Sequence, residues 1–153
     1  MALRPDRNEH LTDLSFFMNE TAERGIIVVA STQGSGAAMD DSSAAVKIGA
    51  VGDRATDKPV GLLLNDVVNI DLTRQHINYA KDEAQKGSKV LLLRRGTVVT
   101  DQISGAVTMG EAAYFMGAGQ LNSSTTGSSS TQIGRFLSKK DADGFAKVEI
   151  NIV

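Results

Sequence analysis

Apolar residues in this chain of 153 arrive in short runs, punctuated by Gly, Ser, Thr, Asn and Asp. None approaches the roughly 20 consecutive apolar residues that a membrane-crossing helix needs. The runs have strand length instead, and several are rich in β-branched residues, which suit a pleated, half-buried surface. The C-terminal run is the clearest. Val148, Ile150 and Ile152 alternate with Lys147, Glu149 and Asn151. A period of two places one set against a core and the other in water. Asp141-Ala-Asp-Gly144 reads as the turn before it and Ile133–Ser138 as its partner strand, so the chain ends in a hairpin.

The same reading gives strands at Ile26–Val29, at Ala44–Val51 and within Val60–Asp71. Asn65-Asp66 predicts a bend or bulge in the last of these. Lys89–Arg95 and Thr97–Asp101 flank Gly96, which is either a bulge in one long strand or a tight turn between two. Ala112–Met116 is a further strand. Leu72–Lys86, between Asp71 and Gly87, fits a capped helix or a long surface loop equally well. Every residue from Ser123 to Thr131 is Ser, Thr or Gly, which predicts a flexible loop near 121–132. These spacings point to one mostly β domain over residues 25–153, a small barrel or sandwich.

Residues 1–24 read as an N-terminal arm. Arg4, Asp6, Arg7 and Glu9 precede Leu11, Leu14, Phe16, Phe17 and Met18. Leu11, Leu14 and Met18 are spaced i, i+3, i+7, which suits a short amphipathic helix with Thr12 or Asp13 near its start. An extended strand packed on the domain's own core is the other reading. Phe16 and Phe17 cannot share one face of a strand, so one of them is available to a neighbouring molecule.

Composition removes most chemistries. There is no Cys, hence no disulfide, thiolate metal site or cysteine nucleophile. Only His10 and His76 are present, too few for a three-histidine zinc site. Sixteen basic and 18 acidic residues give a net charge of −2, which argues against a nucleic-acid binder, and 5% aromatics with no Trp is poor for base stacking. Gly34-Ser-Gly36 after a strand resembles the start of a dinucleotide loop, but Met39 stands at its third glycine position and Asp40-Asp41 follow. No Gly-x-Ser-x-Gly elbow accompanies either His. Asp141-Ala-Asp-Gly144 opens like a calcium loop, yet position twelve is Ile152 rather than Glu. Arg74, His76 and Tyr79 form the most site-like cluster, without a nucleophile–base pair. No cofactor, metal or catalytic residue is expected.

Several segments resemble the head decoration, or capsid cement, proteins of tailed bacteriophages. They are Met1–Arg7, Phe16–Gly25, Pro59–Asp66, Asn69–Asn78, Gly87–Thr100, and the ending Ile133–Ser138 with Asp143–Ile152. The resemblance implies a small β-barrel or β-tulip-like sandwich with an extended N-terminal arm and no catalytic residues. It implies a virion protein on the exterior of the capsid, assembled in the bacterial host cytoplasm. Its partners would be the phage major capsid protein and itself, as a homotrimer or homodimer, with no direct nucleic-acid role and no membrane. The arm residues Arg4, Arg7, Phe16, Phe17, Met18 and Arg24 are the expected capsid or subunit interface. Another virion component, such as a tail-tube, tail-terminator or fibre-associated module, is the alternative.

Overall fold

The computed structural model describes residues 3–31, 45–50, 57–66, 83–126 and 131–152. The Gly34–Gly36 loop, the Arg74/His76 cluster and the middle of the Ser/Thr run lie outside them. The described residues are mostly β and include no α-helix. The strands are β1 (Asn8–Met18), β2 (Ala22–Glu23), β3 (Ile27–Ala30), β4 (Ala45–Ile48), β5 (Pro59–Asp66) and β6 (Glu83–Ala84). They continue with β7 (Lys89–Thr100), β8 (Ala112–Phe115), β9 (Leu121–Asn122), β10 (Gly134–Phe136) and β11 (Ala146–Asn151). Nine of them form one mixed sheet, and β2 pairs with β6 in a small second one.

β7 is the spine. One edge pairs with β1 along nearly its whole length, from Asn8 opposite Thr97 to Phe17 opposite Lys89. The other edge is shared: β5 takes its first half and β11 its second. Gly96 therefore lies inside one continuous strand. The bulge expected near Asn65 is present, as a register shift between Leu63 and Asn65. β4 joins β1 in parallel at Phe17 and Met18, while β3 links β4 to β5. The pairings β1–β4–β3–β5–β7 thus return to β1, and β11, β10, β8 and β9 extend the sheet from β7. The expected C-terminal hairpin is present, with Val148 opposite Phe136 and Ile150 opposite Gly134.

Apolar side chains collect on both faces of the central strands. Ile27 and Val29, Leu62 and Leu64, and Leu93 face the larger cluster, together with Phe115, Phe136, Val148 and Ile150. Val28, Leu63, Val90 and Leu92 face a second cluster with Met18, Ala22, Ile26, Val46 and Ala84. That is why these strands read as unbroken apolar runs while β11, wet on one face, alternates.

The helical reading of Leu11, Leu14 and Met18 is corrected. β1 is a strand with register shifts between Glu9 and Leu11, Leu11 and Thr12, and Asp13 and Phe16. The last shift has a visible local cause. The Asp13 carboxylate accepts hydrogen bonds from the backbone N–H of Ser15, at 2.8 Å, and from its hydroxyl. This closes an Asx turn rather than capping a helix.

Candidate functional site

The N-terminal segment is tied to the rest of the fold before β1 begins. Leu3 bridges Thr100 and is buried in the larger core. The Arg4 N–H donates to the Val99 carbonyl at 3.0 Å. Its guanidinium pairs with Asp141 at 2.9 Å and Asp143 at 3.1 Å, and stands 4.2 Å from the centre of the Phe145 ring. That is a surface ion pair reinforced by a cation–π contact. Asp141 belongs to the turn between β10 and β11. The Phe145 N–H bonded to it holds its carboxyl below the usual carboxylate range, and Arg4 adds to the effect.

Arg7 pairs with Glu9. With Leu3, Arg4, Pro5 and Arg24 it lines an open cleft of about 350 Å³. Three of the arm residues named from sequence, Arg4, Arg7 and Arg24, are thereby brought to one place. The three apolar ones are not. Met18 is fully buried and Phe16 packs against the second core. Phe17 is half-buried, with the Lys89 ammonium 5.8 Å from its ring centre.

The exposed large hydrophobics among the described residues are Leu11 at 51%, Leu14 at 48% and Met109 at 76%. Two of them stand on β1, where the sequence is compatible with a helix face or with a strand packed on the core. Their signal was present: a strand broken by Asp-x-Ser need not keep its apolar residues on the inward face. Met109 carried no such signal. It sits at the tip of a turn braced by the Glu111 carboxylate on the Thr108 N–H and by the Gly110 N–H on the Phe136 carbonyl, each at 2.8 Å. The Glu111 carboxyl is held below its ordinary range by that Thr108 bond.

A second, polar cleft of about 250 Å³ is lined by His10, Arg95, Gly96, Thr97 and Glu149. Among the described residues no three His, Asp or Glu side chains gather into a set that could hold a metal ion. The surface thus offers extended β structure, exposed aliphatic side chains and paired charges, a constellation suited to adhesion between proteins.

Comparison with known families agrees. The family described as "Structural cement protein (E217 gp24/Pam3 gp6)" matches residues 11–151. The chain belongs to this family of phage structural cement proteins. It is a capsid component that decorates and stabilises the head, and it is not an enzyme. No curated protein matches the chain.

Proposed function

We propose that this cement protein sits on the outer surface of the assembled head, where homotrimers or homodimers bridge neighbouring major capsid proteins. A protein that binds only the assembled lattice stabilises it by linkage. Several modest contacts per oligomer suffice, because the second and later contacts are intramolecular. The circuit β1–β4–β3–β5–β7 supports reading this half of the molecule as a small closed barrel, a rigid body from which contacts can be presented.

The capsid contact runs along residues 1–24. The observation that carries this reading is the exposure of Leu11 and Leu14 on β1. Around them, Arg4, Arg7 and Arg24 supply charge at the β1 entry, and Phe17 adds half-exposed apolar surface. Phe16 and Met18 act from behind by anchoring the strand in the second core. Deleting residues 1–18 would remove the strand that lines β7 and would disturb the fold itself. The test is therefore Leu11→Glu with Leu14→Glu, assayed by co-sedimentation with expanded, undecorated heads. Two such anchors are each worth more than about 1 kcal/mol, so affinity falls at least about tenfold. Circular dichroism and melting of the free protein stay unchanged, because neither side chain belongs to a core. Full binding by the double variant would refute the assignment.

A further inference from the structure

The segment Leu3–Arg7 precedes β1, lies outside the named strands, and is nevertheless docked. Its charges alternate, Arg4 positive and Asp6 negative. The surface beneath carries the complement in the same order: Asp141 and Asp143 face Arg4, and Lys147 faces Asp6 at 4.0 Å. Leu3 is its one described side chain in a core. Behind it, β1 is secured by seven paired positions on β7.

We infer that Leu3–Arg7 is an ionic strap that closes over the β10–β11 turn and detaches from it while the sheet stays intact. The attachment combines one buried side chain, Leu3, and the Arg4–Val99 backbone hydrogen bond with ion pairs at the surface. Each of those pairs is worth about 0–1 kcal/mol and is weakened by salt, so salt loosens the segment without touching the sheet. The sheet behind is held by backbone pairing and two apolar clusters, which salt does not screen. The strap and the sheet therefore have different stabilities and respond to different conditions. Taken with the capsid reading, on which this role rests, a strap released from its own turn is free to engage an adjoining capsid subunit.

The free protein tests the strap without any head. Native-state hydrogen exchange of the Arg4 amide, bonded to the Val99 carbonyl, reports the closed state. The amides of β11 serve as the internal control. At about 1 M salt, where the Debye length is about 3 Å, exchange at Arg4 rises about tenfold, the ratio expected when the three ion pairs of the strap are together weakened by about 1.4 kcal/mol. Asp141→Asn with Asp143→Asn produces most of that rise at low salt and leaves only the small salt dependence of the Asp6–Lys147 pair. In both cases β11 is unaffected. An Arg4 amide that exchanges in step with β11 under all these conditions overturns detachment, and one unprotected in the wild type at low salt overturns closure. Co-sedimentation of the same variant with heads is read separately. A changed affinity supports the role in capsid contact, and an unchanged affinity with a loosened strap removes that role.

Discussion

A side chain at Gly96 would compete with β1 for space. A Cβ there would lie 2.1 Å from the Asn8 carbonyl oxygen, inside any permitted contact. The glycine lets the backbone of β1 press onto β7 where the bulged register begins. Gly96→Ala is therefore expected to push Asn8–Leu11 outward and to cost about 1–3 kcal/mol, the range for overpacking. Hydrogen exchange locates the damage: protection is lost along Asn8–Leu11 first and spreads to the strap, while the β10–β11 hairpin keeps most of its protection. Unaltered protection at Asn8–Leu11 would show that the strand gives way without cost. The sequence marked Gly96 as a bulge or a turn, and its neighbours Arg95 and Thr97 say nothing about what crosses there. Arg4 has the same character. Its partners Asp141 and Asp143 are far away in the chain, and only the closing of the sheet brings them within 2.9 and 3.1 Å. Asp141 and Asp143 were legible as turn residues, but their role in receiving Arg4 was not.

At the scale of elements, legibility followed the regularity of each strand. β11 keeps a strict period of two, and its buried face could be read directly. β3, β5 and the first half of β7 are apolar on both faces, so their existence was plain while their facing was hidden. β1 reads as either helix or strand for a third reason. Its register shifts break the alternation, and the surviving apolar positions Leu11, Leu14 and Met18 fall by coincidence at helical spacing. The two-faced burial is itself open to test. Leu62 faces the larger core and Leu63 the second, and both are fully buried. In a sheet covered on one side, only one of two adjacent residues matters. Here Leu62→Ala and Leu63→Ala should each cost about 2–5 kcal/mol, as read from the midpoint of urea unfolding. A loss confined to one of them would mean that the other face is not a core.

For the whole molecule, membership of a structural cement family makes its effect on the head a matter of mass action. Each copy that binds assembled but not disassembled subunits lowers the free energy of the shell. The gain per site is RT ln(1 + [L]/Kd), about 2.7 kcal/mol when free protein stands at 100 times Kd. Because many equivalent sites act on one shell, small gains per site add up to a large barrier against rupture. The temperature at which filled heads release their DNA should therefore rise with the concentration of free cement protein. It should keep rising, logarithmically, after every site is occupied, because linkage continues beyond saturation. The Leu11→Glu, Leu14→Glu variant should shift the whole curve to higher concentration without altering its shape, since it weakens Kd alone. Dye-accessible DNA during a heating series at several protein concentrations measures both effects. A release temperature that plateaus at full occupancy would indicate a different mechanism, in which bound copies slow rupture mechanically and are not exchanging with the free pool.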